Sequence, residues 1–401
     1  MTFLDKLLEG IEVEWKTVDE IFNVKNGYTP SKKNKEFWTD GTVPWFRMED
    51  IRQNGRILKD SIQHVTKSAV KGQLIPENSL FMSTTATIGE HALVLTPYLT
   101  NQQITSFSLK EDYKENIAIK YMFYSFFDFG NWCKENANKN GGLGIIGVKK
   151  LKEYKFPIPC PDNPKKSLEI QQKIVDILDK FTELTAELTA ELTARKQQYS
   201  YYREQLLTFD ENEVEWKTLG EVGEVRMCKR ILKNQTSDVG DIPFYKIGTF
   251  GKEPNAFISE ALFEEFKSKY NYPKVGEVLI SASGTIGRAV IFDGKDAYFQ
   301  DSNIVWIEND ETQVLNKYLF YFYQIAKWHT AVGGTIQRLY NNDLKKTKIP
   351  IPLLEKQERI ISILDKFDVL TTSLSEGLPK EIELRQKQYE YYREQLLGFS
   401  R

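Results

Sequence analysis

The side chains best suited to chemistry in this chain are cations and small polar groups set in loops, and the chemistry open to them is binding. "VPWFR" and "IPFYK" place Arg47 and Lys246 three residues after Pro44 and Pro243, each just past a strand-like run. "PSKKNK" supplies Lys32, Lys33 and Lys35, and "MCKRILK" supplies Lys229, Arg230 and Lys233. Thr84, Thr85, Ser283 and Arg338 stand in further loops. On a nucleic acid, clustered cations suit phosphate oxygens, whereas Arg, Ser and Thr also reach base edges. The plainer readings are a surface salt bridge for Arg47 and Lys246, and solvated charge runs for the lysine clusters.

No catalytic constellation accompanies these groups. The chain has no [DNS]PP[YFW] motif for adenine methylation, no P-loop and no GxGxxG after a strand. His64, His91 and His329 are isolated and read as structural or surface residues. Cys133, Cys160 and Cys228 form no CxxC pair, so neither a disulfide framework nor a zinc site is expected, and a reducing cytosol is implied. Lys and Arg number 54 against 56 Asp and Glu, so bulk charge gives no nucleic-acid signal and any basic face must be local. No apolar run is long enough to span a membrane, and "MTFLDKLLEG" lacks a signal-peptide pattern. A soluble, cytoplasmic protein is expected.

The elements that must position these loops occur twice. "VEWKTV" at 13–18 returns as "VEWKTL" at 214–219, and "VPWFR" at 43–47 answers "IPFYK" at 242–246. "STTATIGE" at 83–90 answers "SASGTIGR" at 281–288, and "KYMFYSF" at 120–126 answers "KYLFYFY" at 317–323. "ILDKF" recurs at 177–181 and 363–367, and "YYREQLL" at 201–207 and 391–397. Such long units are a duplicated domain rather than solenoid repeats. Gly141–Gly142 and Gly333–Gly334 recur at matching places, as turns or as loops approaching a ligand. "FLDKLLEGIEVEWK" at the start resembles "YYREQLLTFDENEVEWK" at the junction, which predicts a circular arrangement with adjoining termini and a pseudo-two-fold axis.

Within each copy, residues ~10–160 and ~212–352 mix short β-like runs with a helix near "IAIKYMFYSFF". Residues ~168–208 and ~355–398 carry helical periodicity instead. One stripe runs through Ile170, Ile174, Ile177, Leu178, Phe181, Leu184, Leu188 and Leu192, and its partner through Ile360, Ile363, Leu364, Phe367, Leu370 and Leu374. The two helices are expected to pack antiparallel, with "PIP" blocking backward extension of each and Gly377 and Pro379 breaking the second. "ELTAELTAELTA" at 183–194 is a neutral helix extender: a leucine every fourth residue drifts by only ~40° per unit. Adding or removing a unit preserves the apolar seam while changing the distance and rotation between whatever flanks it. Replication slippage without functional output is the bland alternative.

Duplicated domains separated by an adjustable helix suit a polymer with two separated half-sites, such as DNA. In its architecture and in "ILDKFTELTAELTAEL", "ILDKFDVLT", "SEGLPKEIELRQKQYEYYREQLL" and the preceding "PIP", the chain resembles the specificity subunit of a type I restriction–modification enzyme, in the subclass with TAEL-type repeats. The resemblance implies an α+β fold: two mixed α/β target-recognition domains related by a pseudo-two-fold and separated by two long antiparallel helices. The corresponding segments are a first recognition domain at 1–165, a spacer helix at 166–210, a second recognition domain at 211–352 and a C-terminal spacer helix at 353–401. It further implies a non-catalytic chain that reads a bipartite asymmetric site in double-stranded DNA and docks two modification (methyltransferase) subunits. Motor-nuclease subunits would complete the complex, and S-adenosylmethionine, ATP and Mg would be bound by the partner subunits rather than by this chain. Two rivals remain at this point, a coiled-coil scaffold indifferent to DNA and a self-sufficient DNA methyltransferase.

Overall fold

Short continuous apolar runs such as "EVLISAS" and "NIVWI" pair as strands buried on both faces, and the Phe- and Tyr-rich segment after each set forms the helix that covers one of them. The computed structural model describes residues 10–139, 142–329 and 337–399. The chain divides into two compact units, Met1–Glu187 with Glu383–Arg401, and Leu188–Ile382. Residues 1–9 and 400–401 lie outside the described residues, as do Gly141, Gly333 and Gly334, so the expected adjoining termini fall there too.

The first unit contains strands β1 (Val13–Thr17), β2 (Phe22–Asn26), β3 (Val43–Phe46), β4 (Ile57–Leu58), β5 (His64–Val65), β6 (Ser79–Ser83), β7 (His91–Val94), β8 (Leu99–Thr100), β9 (Ile104–Leu109) and β10 (Lys155–Pro159). They form a five-stranded sheet in the order β2-β9-β6-β7-β4, a three-stranded sheet β5-β3-β8 and the pair β1-β10. The second unit repeats the plan with β11 (Glu215–Thr218), β12 (Glu224–Arg226), β13 (Ile242–Tyr245), β14 (Phe257–Ile258), β15 (Val278–Ser281), β16 (Ala289–Ile291), β17 (Tyr298–Phe299), β18 (Ile304–Glu308) and β19 (Lys348–Ile351). Its sheets are β12-β18-β15-β16, β14-β13-β17 and β11-β19. In both units the central strand of the small sheet runs parallel to its following partner, Trp45 beside Leu99 and Phe244 beside Tyr298. The repeated "EWKT" has a local cause. Thr17 and Thr218 each end a strand and cap a short helix whose third residue, Glu20 or Glu221, reaches back to the threonine amide at 2.6 and 2.7 Å.

Each unit has one core between its large sheet and the aromatic helix and a second that joins small-sheet residues such as Phe46 or Phe244 to the large sheet at Phe81 or Leu279. In the first unit the helix Ile119–Asn136 buries Tyr121, Met122, Phe126, Phe129 and Cys133, and Phe126 stacks on Phe156 at 5.5 Å. The shorter helix Asn316–Tyr323 buries Tyr318, Leu319, Tyr321 and Phe322 in the second. Such rings each remove some 150–250 Å² from water and dominate the burial energy. His91 lies at this interface, with both ring nitrogens near carbonyls, Gly89 O at 3.2 Å and Phe123 O at 3.1 Å. Burial, aided by Arg56, pushes its pKa down to about 3 against the pull of those carbonyls. Cys133 and Cys228 are buried, and desolvation lifts each thiol to about 12.

One set of hydrogen bonds fastens each aromatic helix to a long helix, and it is the same set twice. Helix Pro164–Leu207 supplies Gln171 and Asp179, and helix Leu354–Thr372 supplies Gln357 and Asp365. Gln171 Oε1 accepts from Ala118 N at 2.9 Å, and Gln357 Oε1 from Leu315 N at 2.9 Å. The Gln171 amide donates to Asn116 O at 3.1 Å, and that of Gln357 to Gln313 O at 2.8 Å. Asp179 takes Lys120 and the Tyr124 hydroxyl, both at 2.6 Å, while Asp365 takes Lys317 at 2.7 Å and Tyr321 at 2.5 Å. Tyr121 and Tyr318 in turn donate to Pro157 O and Pro350 O in the strands preceding those helices.

The long helix spans 44 residues, from Pro164 to Leu207. Its partner is interrupted as expected: one helix ends at Thr372, Gly377 takes φ +82°, and another runs from Leu378 to Leu397. Leu374 departs from the expected stripe. It lies in the break, 81% exposed, because the helix that would have turned it inward has already ended. Packing is antiparallel in the second unit. The long helix meets Phe367 at Tyr199 and Tyr202, and just beyond its end Phe209 lies under Lys356. In the first unit the matching contact is Phe181 stacked on Tyr392 at 5.1 Å. Only one tyrosine of each "YYREQLL" faces this seam. Tyr201 and Tyr391 remain 60% and 57% exposed. No described helix is long and apolar enough to cross a membrane.

Candidate nucleic-acid interface

In each unit four chain segments meet in the same register and form a loop cluster, which we call its tip. The first is the turn after β6 or β15. Ser83 N donates to Glu90 O at 2.8 Å, and Ser281 N to Arg288 O at 2.9 Å. Both turns need left-handed backbone at the same two places, Ala86 and Gly89 in one, Gly284 and Gly287 in the other. A Cβ on Gly89 would stand 2.5 Å from Gly130 O, and one on Gly287 would stand 2.1 Å from Trp328 Nε1, so glycine is required there on both counts. The second segment, Thr100–Gln103 or Gln300–Asn303, leaves the parallel strand and receives a turn amide: Thr84 N to Gln103 O at 2.9 Å, Ala282 N to Asn303 O at 2.7 Å. The third segment reaches the turn from the other side, with Ile146 N on Thr84 O at 3.0 Å and Leu339 N on Ala282 O at 2.8 Å. The residue following β3 or β13, Arg47 or Lys246, completes the tip.

The residues anticipated from sequence divide on these contacts. Arg47 is half-buried, ion-paired to Glu49 at 3.0 Å and set over the Trp45 ring, so it is the more committed of the equivalent cations. Lys246 is exposed and forms no ion pair among the described residues. Lys32, Lys33 and Lys35 are exposed around the short 3-10 turn Lys35–Phe37, and none is ion-paired among the described residues. Lys229 stands over the Tyr270 ring at 5.1 Å. Thr84 turns inward: it is buried, with its hydroxyl donating to Gln103 O at 3.2 Å, so it holds the turn rather than facing outward. Thr85 is partly exposed at the tip. Ser283 is buried, and its hydroxyl donates to Asn303 Oδ1 at 2.9 Å, so it acts on a neighbouring amide. His64 pairs with Asp60 at 2.7 Å and His329 is exposed.

In the second unit the tip lines a half-open cavity of about 440 Å³, bordered among others by Arg230, Lys233, Lys246, Gln300, Asn303 and Arg338. Four cations face one lining carboxylate, Asp301, and none of the four forms an ion pair among the described residues. Some cations elsewhere in the unit are paired, as Arg226 is with Glu308 and Lys345 with Glu224, so what distinguishes the cavity is four cations converging on one carboxylate. An excess of unpaired positive charge in a concave site is the electrostatics of an anion-binding surface. The amides of Gln300 and Asn303, and of Asn101, Gln102 and Gln103 in the first unit, escaped the sequence reading. Their signal was available in "YLTNQQI" at 98–104 against "YFQDSNI" at 298–304, a polar insert in a repeated apolar frame. No group of His, Cys, Asp and Glu able to hold a metal occurs among the described residues.

The sequence model of the Type I restriction modification DNA specificity domain matches residues 11–195 and again residues 211–384. The chain belongs to that family. A Haemophilus influenzae protein assigned as a type I restriction enzyme specificity subunit is 50% identical over 413 residues, which covers 100% of this chain and 99% of that one. The EcoprrI type I specificity subunit of Escherichia coli is 41% identical over 395 residues, 94% of this chain and 92% of its own. A solved chain from work on complex assembly and conformational transition of the type I restriction–modification system shares the fold. Its TM-score is 0.67 at 14% identity, over 96% of this chain and 98% of that one. The chain is thus a type I specificity subunit, a component that contributes recognition and no catalytic centre.

Proposed function

We propose that each unit of this specificity subunit reads one half of a split, asymmetric site in double-stranded DNA. The long helices would set the spacer between the halves and dock two modification subunits, and motor-nuclease subunits would join for ATP-dependent restriction. Residues 1–165 and 211–352 act as the recognition domains, and 166–210 and 353–401 as the spacer helices. The observation that carries this reading is the duplicated tip: one backbone frame, built twice, bearing different side chains. Two like frames with unlike surfaces fit a target of two unlike halves. Lys32, Lys33, Lys35, Arg47, Lys229, Arg230, Lys233 and Lys246 serve phosphates, and Thr85, Ser283 through Asn303, and Arg338 serve base edges. S-adenosylmethionine belongs to the modification subunits, ATP and Mg to the motor subunits, and the assembly works in the cytoplasm.

Methylation-sensitive sequencing of DNA from a host carrying the whole system tests this. The expected result is a single bipartite motif with a constant spacer, dependent on this chain together with its modification partner. Methylation without a motif, or no sequence-dependent binding by the assembled complex, would leave a scaffold; S-adenosylmethionine binding by the isolated chain would revive a self-sufficient methyltransferase.

A further inference from the structure

The two tips share their backbone hydrogen bonds residue by residue, and one position of that register carries sharply unlike side chains. Ile146 and Leu339 occupy the same place: each donates its amide to the turn carbonyl that follows the central strand, and each is buried, at 4% and 2% exposure. The residue before each forms an isolated antiparallel bridge with the turn, Ile145 with Thr85 and Arg338 with Ser283. Alternation along an extended segment turns neighbours to opposite faces, so the residue before a buried anchor points outward. Ile145 is 53% exposed, and Arg338 lines the cavity.

We propose that Ile145 and Arg338 are specificity-determining residues at one structurally equivalent position, Ile145 reading a thymine methyl in one half-site and Arg338 a guanine edge in the other. This rests on the half-site reading given above. The donor inventory of the cavity supports guanine. Gln300 Oε1 accepts from the Ile247 amide at 2.9 Å; a backbone N–H can only donate, so the Gln300 –NH2 is left as a donor. Arg338 gives one N–H to Ser302 O at 3.2 Å, and its Cζ lies 5.8 Å from the Tyr340 ring centre; a guanidinium carries five N–H groups, so others are left to donate. The major-groove edge of guanine presents two acceptors, N7 and O6, and thymine only one, O4, beside its methyl, whereas adenine and cytosine each present an amino donor there. A guanidinium beside a second donor therefore matches guanine and opposes adenine and cytosine. In the first unit the same position carries no donor at all. An outward isoleucine, with Leu143 also 67% exposed nearby, offers the apolar contact that the thymine C5 methyl takes.

The test uses the full chain assembled with its modification subunits, on duplexes carrying its mapped site. Substituting 7-deazaguanine at each guanine in turn should weaken the wild type at one position of one half-site. Arg338→Ala should abolish that sensitivity, relax the base requirement there and lower affinity by roughly tenfold to a hundredfold. Deoxyuridine in place of each thymine should weaken binding at one position of the opposite half-site, and Ile145→Ala should remove that effect while leaving the rest of the motif unchanged. If Arg338→Ala weakens all sequences alike, Arg338 is a phosphate contact and the assignment falls, with the half-site reading intact. If no thymine responds to loss of its methyl, the Ile145 assignment falls. The analogue scans on the wild type decide both points should a variant not fold. A wild-type complex that binds without sequence preference would instead overturn the half-site reading itself.

Discussion

Deleting Glu191–Ala194 removes one ELTA unit from a helix that is continuous from Pro164 to Leu207. Four residues are about 6 Å of rise and 400° of turn, which leaves ~40° of net rotation. The seam should survive, because Leu188 then stands seven residues before Tyr199, where Leu192 stood, and Tyr199 keeps its stacking on Phe367. The non-helical stretch between Thr372 and Leu378 gives the partner segment slack to follow. B-DNA advances about 3.4 Å and turns about 35° per base pair. The rotations nearly agree, whereas the rises agree only if the helices lie oblique to the duplex. Rotation governs, since a tip facing the wrong side of the duplex cannot reach its groove, while a changed reach is absorbed by bending at a cost of a few kcal/mol. The deletion should therefore shorten the preferred spacer by about one base pair and leave both half-sites unchanged. Methylated sites of parent and deletion, mapped side by side, decide it. An altered half-site, or the original spacer at full activity, would refute the ruler.

Other consequences are equally open to measurement. Lys246→Ala should weaken DNA binding by the assembled complex and reduce its salt slope by about one; Arg47→Ala should do less, because Arg47 is already paired with Glu49. Gln357→Leu keeps shape but orphans Leu315 N and Gln313 O, so urea unfolding should show a loss of about 2–4 kcal/mol, and a loss under about 1 kcal/mol would count against the clamp. His91 is held neutral when folded, with a pKa of about 3 against 6.5 when unfolded. The unfolded chain therefore takes up the proton first, and His91 lowers stability as pH falls from about 6.5 towards 3. Comparing wild type with His91→Phe, the wild type should lose about 2 kcal/mol more between pH 7 and pH 5.

The features legible in sequence were those with a period. Helical stripes, the ELTA extender and the repeated "EWKT" and "KYxFY" segments each state a local rule that the folded chain obeys. The break at Gly377 was equally plain, since glycine and proline act on the backbone directly. The tip was harder. Aligning Gly141–Gly142 with Gly333–Gly334 would set Ile145 against Gln337, whereas the hydrogen-bond register sets it against Arg338. Loop lengths shift sequence offsets without shifting register, so only the backbone pairing reveals the match. Thr84 and Ser283 failed as outward contacts for a related reason. Their composition suits a surface, but their place in the turn puts each hydroxyl inside.

The alternation at the third segment also places neighbouring codons under opposite constraints. Codons 146 and 339 specify side chains that fill the core, and most errors there cost the protein its fold. Codons 145 and 338, one triplet earlier, specify side chains that the core never touches. A single-nucleotide change at those triplets can alter the address to which the protein responds while leaving its melting temperature where it was. In a deep mutational scan this should appear as a one-residue stripe, tolerant for abundance and intolerant for target choice, beside a residue with the opposite profile.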